Sequence, residues 1–114
     1  MRREWSFRMI KRIILVTRHP DLSGDEFRRY YTEKHAPIVA KLPGLRRYTQ
    51  NPTLLGPDGR EQEISGIAEV WYEDEAAFRA AMQSPEAVAA NESLTYFVDG
   101  SKTQSLMVDE HVIL

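Results

Sequence analysis

The chain has 114 residues, 28% of them charged, with a formal net charge of −2 and no cysteine. That length supports one domain with a single modest core, and the absence of cysteine excludes disulfides and thiolate chemistry. Charges are interspersed, and the Arg-Arg pairs at 2–3, 28–29 and 46–47 are local, so no general polyanion-binding face is indicated.

Residues 1–8 read as a loosely held arm that Trp5 and Phe7 tuck down, followed by a single domain over 9–114. Met9 to Arg18 is a β-branched, apolar run and predicts a strand. Its apolar centre, Ile13-Ile14-Leu15-Val16, is too short for a signal-peptide core or a membrane span. A soluble, cytoplasmic protein is the expectation. His19-Pro20-Asp21-Leu22 predicts a turn, and Ser23 with Glu26 three residues on has the spacing of a capping box opening the first helix.

That helix carries Phe27, Tyr31 and His35 and then meets Pro37. An interior proline removes a helical hydrogen bond and costs about 3 kcal/mol, and Ala36 before it is pushed away from the helical region. A break is therefore expected there, with Tyr31 and His35 one turn apart on its N-terminal side. Pro43-Gly44 closes the segment, Leu45 to Asn51 predicts a second strand, and Pro52 to Glu63, with Gly56-Pro57-Asp58-Gly59, a hairpin loop. Ile64 to Tyr72 is the third strand, and Asp74 opens an alanine-rich helix through Met82. Ser84-Pro85-Glu86 restarts helix as cap, N1 proline and first-turn acid, running to about Phe97. Gly100 ends it, and Gln104 to Ile113 is the last strand. The order βαββαβ predicts an α+β, ferredoxin-like antiparallel sheet with helices on one face.

In the third strand Ile67, Glu69 and Trp71 share one face, and Gly66, Ala68, Val70 and Tyr72 the other. A sheet covered on one face only shows polar outward positions. Here the first strand is apolar on both faces and the third offers small or apolar residues on both. A second copy of the same sheet is the simplest cover, which predicts a homodimer.

His35-Ala-Pro37-Ile-Val followed by Leu42-Pro43-Gly44-Leu-Arg-Arg-Tyr48 is similar to the most recognisable stretch of the EthD family, within the wider dimeric α/β-barrel group. Gly66-Ile-Ala-Glu-Val-Trp71-Tyr-Glu-Asp and Ser84-Pro85-Glu86 support the resemblance, which spans roughly residues 9 to 114. The family is named for a component of ethyl tert-butyl ether degradation that accompanies a cytochrome monooxygenase system. Its relatives include methylmuconolactone isomerases and polyketide-tailoring dehydratases and decarboxylases, mostly cofactor-free. The resemblance implies two sheets packed face to face across a dimer, each subunit keeping its own pocket between sheet and helices. It also implies a small hydrophobic or aromatic ligand and no cofactor. Two functions follow as expectations: cofactor-free acid/base chemistry of isomerase or lyase type, or a non-catalytic carrier or accessory role in an oxygenase system.

On a helical wheel Phe27, Tyr31 and Ile38 fall within about 40° of each other, and His35 lies roughly 40° beyond them. Lys34 flanks the other side about equally closely, so the wheel does not choose between them. The chemical case for His35 is an intrinsic pKa suited to moving a proton near neutral pH. Burial lowers that pKa, whereas carbonyls freed at a proline break favour the cation. The alternative is a structural histidine bonded to such a carbonyl. Tyr31 is placed to orient the imidazole or a substrate oxygen, or else is core with a satisfied hydroxyl. Phe27, Ile38, Trp71 and Glu69 complete the expected site. If the Trp71 face looks toward the helices, Trp71 walls the pocket and Glu69 is a buried acid needing a partner. Otherwise Trp71 is ordinary core and Glu69 pairs with an arginine.

No metal site is expected. His19 and His111 fall near opposite ends of an antiparallel first–fourth strand pair, roughly 25 Å apart at about 3.4 Å per residue, and no tight ligand spacing occurs. Haem-degrading relatives of this fold ligate iron from the second helix, and residues 74–98 contain no histidine. No serine sits in a nucleophile elbow. An RNA-recognition module shares the βαββαβ order, but its basic first position falls on Ser65 and its two base-stacking aromatics on Ile67 and Glu69. No nucleic-acid partner is expected.

Overall fold

A computed structural model describes residues 9–114; the predicted N-terminal arm lies outside them. Four antiparallel strands, β1 (Ile10–Val16), β2 (Leu45–Pro52), β3 (Gly66–Tyr72) and β4 (Gln104–Val108), form a sheet in the order β2-β3-β1-β4. The helices follow β1 and β3, giving the ferredoxin-like arrangement. Among the described residues no helix is long and apolar enough to cross a membrane.

The caps act as their sequences predict. Ser23 Oγ accepts from the Glu26 N–H while Glu26 Oε1 accepts from the Ser23 N–H, opening α1 (Gly24–Arg29). Asp74 accepts from the Ala77 N–H at the start of α3 (Glu75–Met82). Ser84 caps α4 (Pro85–Phe97), with Pro85 at a position where its missing donor costs nothing. Gly44 turns the chain into β2 at φ 76°, a left-handed conformation that side chains resist.

Pro37 does not break the first helix. Residues Tyr30–His35 form a π-helical segment that runs directly into α2 (Ala36–Val39), and Ala36 is helical at φ −56°, ψ −46°. The Ala36 N–H bonds the Tyr31 carbonyl, five residues back. The wider turn offsets the carbonyl that the proline ring would otherwise strike. It also changes the periodicity. Phe27, Tyr31, His35 and Val39, four apart, are all buried. A pure α-helix would drift about 40° at each such step.

β4 is shorter than predicted. Its pairing with β1 ends at Lys11↔Val108. Past that point the chain turns so that Glu110 accepts from Lys11 Nζ (3.1 Å) and Trp71 Nε1 (3.0 Å) instead of continuing the ladder.

Strand register assigns the two sheet faces. Ile10, Arg12, Ile14 and Val16 of β1 lie opposite Tyr72, Val70, Ala68 and Gly66 of β3. Opposed residues in an antiparallel pair share a face, and Val70 and Tyr72 belong to the core packed under the helices. Lys11, Ile13 and Leu15 oppose Trp71, Glu69 and Ile67 on the face without helices. On the helix side, one apolar cluster gathers Val39, Leu42, Val70, Tyr72, Ala81, Ala87 and Ala90, and a second Val16, Phe27, Tyr31, Phe97 and Val98.

Gly66 gives Tyr31 its place. A Cβ there would stand 2.7 Å from Tyr31 Cε2, on a stiff ring that is fully buried. Gly66→Ala is expected to destabilise the fold by about 1–3 kcal/mol, the range for overpacking, read from urea denaturation. An unchanged midpoint would show that the ring moves freely.

Candidate functional site

A cavity opens between the sheet and the helices, lined by residues of both apolar clusters. It offers about 60 Å³ to the centre of a water-sized sphere, several times the ~10–15 Å³ that one water needs. Most of the wall is aliphatic. The polar groups are Tyr31, His35, Tyr48, Tyr72, Arg12 and Asn91, with no carboxylate among the lining residues.

The π segment carries Tyr31 and His35 to this wall, stacked with ring centroids 6.2 Å apart. His35 is 4% exposed and packs on Phe97 at 4.9 Å. Its Nδ1 lies 2.9 Å from Ser93 Oγ on α4, and Ser93 Oγ donates at longer range, 3.4 Å, to Tyr30 Oη. A hydroxyl has one hydrogen. With that hydrogen on Tyr30, Nδ1 carries the imidazole proton and Nε2 keeps its lone pair. Burial pushes the His35 pKa down to about 4, so the ring is neutral at pH 7. The two opposing influences expected from the sequence are thus resolved: the helix does not break, and desolvation is the cause that acts.

Tyr31 Oη and Tyr72 Oη are buried without a hydrogen-bond partner among the described residues. Burial, and then the nearby Tyr48, raises the Tyr31 pKa, so its hydroxyl remains a donor. Tyr48 Oη accepts from Gln50 Nε2 (2.7 Å), which also donates to the Tyr31 carbonyl (2.8 Å), and burial pushes the Tyr48 phenol up to about 12. Buried hydroxyls are almost always paired, and an unpaired one costs about 1–3 kcal/mol. Both hydroxyls belong to residues that line one cavity, and a polar guest reaching them there would supply the missing partner.

Only Tyr31 and His35 of the six expected site residues line this cavity. Lys34, which the wheel could not separate from His35, is exposed. Phe27 is buried in the second cluster, its ring 5.3 Å from Tyr31, and Ile38 packs half-buried against the first. The placement of Trp71 and Glu69 as pocket wall and pocket acid is corrected by the register: both lie on the helix-free face. Trp71 is 4% exposed there, under Lys11 (4.8 Å) and Arg47 (4.6 Å), and Glu69 pairs with Lys11 at 3.0 Å rather than with an arginine. Sequence reading overlooked Arg12, Tyr48, Tyr72 and Ser93. A signal was present for Arg12, which alternates with Ile10, Ile14 and Val16 in an otherwise apolar row.

A family model described as the EthD domain matches residues 19–101. An uncharacterized 11.0 kDa protein from the thcB–thcC intergenic region of Rhodococcus erythropolis is 28% identical over 103 residues, covering 90% of this chain and 97% of that one. Among solved structures, an EthD family protein of Bacillus halodurans superposes with a TM-score of 0.76 at 26% identity, over 90% of this chain and 99% of that chain. SnoaB of Streptomyces nogalater, a cofactor-independent oxygenase, shares the fold with a TM-score of 0.66 at 20% identity, over 94% and 97% of the two chains.

Proposed function

The chain belongs to the EthD domain family, and from that premise we propose that its cavity binds, and transforms by cofactor-free acid/base chemistry, a small hydrophobic or aromatic metabolite. The observation that carries this reading is the pair of phenol hydroxyls, Tyr31 and Tyr72, without partners among the described residues, beside a neutral imidazole in a largely aliphatic cavity. Sites of this kind hold a ligand by its apolar body and orient it with a few polar groups. Tyr31 donates to a ligand oxygen. His35 Nε2 accepts a proton, and the Ser93 contact at Nδ1 holds the ring in place. Proton removal beside an oxygen that Tyr31 stabilises suits isomerisation, dehydration or lactone rearrangement. The subunit works as a homodimer, pairing through the helix-free sheet face, where Ile13, Leu15 and Ile67 lie together on adjacent central strands.

The low His35 pKa favours a second reading. An imidazole that resists protonation near neutrality is a weak general base and holds no imidazolium proton to deliver, which suits a carrier or accessory protein of an oxygenase system.

A panel of small aromatics and lactones, titrated against the ¹⁵N-labelled protein, tests both. Trp71 fluorescence is a poor reporter, since the indole lies across the sheet from the cavity. His35→Gln keeps hydrogen bonding and removes the titrating group. For an enzyme it is expected to lower turnover roughly 10²–10⁴-fold with little change in binding. A carrier shows no turnover in either form and at most about 1–3 kcal/mol weaker binding. Loss of thermal stability with binding intact in the folded fraction would assign His35 a structural role only.

A further inference from the structure

Lys11 and Arg12 are neighbours in β1 and meet opposite fates. Lys11, on the helix-free face, has two carboxylates, Glu69 at 3.0 Å and Glu110 at 3.1 Å. Arg12 points to the helix side and lines the cavity. Its guanidinium donates to Met82 Sδ (3.6 Å) and Ser105 Oγ (3.2 Å) and sits 5.7 Å from the Phe78 ring centre. Among the described residues no carboxylate pairs with it, and none lines the cavity.

A half-buried cation in an apolar wall is costly unless something of opposite charge meets it. Guanidinium presents five donors, more than Met82 and Ser105 use, in a planar fork that fits an ionised oxygen group. Tyr72 Oη, fully buried and without a hydrogen-bond partner among the described residues, lies within electrostatic reach of Arg12. His35 at the same cavity is neutral, so Arg12 is the single full charge among the lining residues. We propose that the ligand is a monoanion whose ionised oxygen group, a carboxylate or the oxygen of an enol or phenol, is held by Arg12 and Tyr72. This deepens, and rests on, the reading of the cavity as the ligand site. A neutral ligand leaves the guanidinium charge unmatched, and a dianion brings one charge too many.

Two near-isosteric probe pairs test it by ¹⁵N shift titration: benzoate against benzamide, and 4-nitrophenolate, above its pKa, against the neutral 4-nitroaniline. Shifts are expected at Ala87 and Ala90, which line the cavity. The charged member of at least one pair is expected to bind at least roughly tenfold more tightly, and which pair responds distinguishes carboxylate from phenolate. Arg12→Met is expected to erase the preference and Arg12→Lys to keep part of it. Should Arg12→Met not fold, the wild-type comparison and Tyr72→Phe, expected to weaken the anion selectively, decide. Equal affinity for charged and neutral members, or a preference that survives Arg12→Met, overturns the proposal while leaving the cavity a ligand site. Absence of cavity shifts with all four probes overturns both.

Discussion

Val70→Lys is expected to unfold the subunit, whereas Ile67→Lys, three residues away on the same strand, is expected to leave it folded and to abolish the proposed pairing of subunits. Val70 is 3% exposed, part of the main core cluster, and lies directly opposite Arg12 in the β1–β3 pair. A second cation there meets no carboxylate among the described residues lining that cavity and faces a like charge across the strands. An uncompensated buried charge costs about 3–5 kcal/mol, a large share of the roughly 5–15 kcal/mol that holds a domain together. Ile67 opposes Leu15 on the helix-free face and is only partly buried within the subunit. Its replacement therefore costs little until two such faces meet. Circular dichroism separates the first effect, and sedimentation velocity at micromolar concentration the second. A folded Val70→Lys dimer would reverse the face assignment, and a dimer that survives Ile67→Lys would place the interface elsewhere.

The second large effect is a loss of stability in mild acid caused by His35. Burial holds its native pKa at about 4, against 6.5 for an exposed imidazole. The native pKa is depressed, so the unfolded chain binds the proton first as pH falls. Stability is then fully present above about pH 6.5 and declines as pH falls toward 4, below which the native state protonates as well. A gap of that size corresponds to about 3 kcal/mol. Asp99, Glu26 and Glu110 have pKa values lowered by their hydrogen bonds, from Ser101, Ser23 and Trp71 respectively, so they too lose stabilisation as pH falls, and the comparison with His35→Gln isolates the histidine. Urea midpoints across the range should fall steeply for the wild type and much less for His35→Gln, which cannot protonate. A flat wild-type profile would mean that His35 titrates as an exposed imidazole and is not held neutral in the native state.

Much of this protein is written locally. Ser23 with Glu26, Asp74, and Ser84 with Pro85 mark three helix starts through contacts that span three residues. Alternation in β3 sorts its residues onto two faces, because the pleat repeats every two residues whatever surrounds it. Together with the turn residues, these signals determine the element order and the ferredoxin-like fold. Alternation does not say which face looks at the helices, and Trp71 and Glu69 consequently lie across the sheet from the expected site.

Pro37 shows where local rules stop. Its ring predicts a break, but the Tyr31 carbonyl accepts both the Ala36 N–H and Gln50 from β2, and a π turn takes up the distortion. The state of His35 depends on Ser93, 58 residues along the chain, and on the removal of water by Phe97 and its neighbours. Arg12 acquires its character only because tertiary packing sets it beside Tyr72 and away from every carboxylate that lines the other face. Caps, turns and strand alternation were legible along the chain, because near-neighbour sterics and hydrogen bonds govern them. Tertiary structure alone decided the protonation, pairing and exposure of each polar group, because those depend on the dielectric and the partners that distant segments bring together.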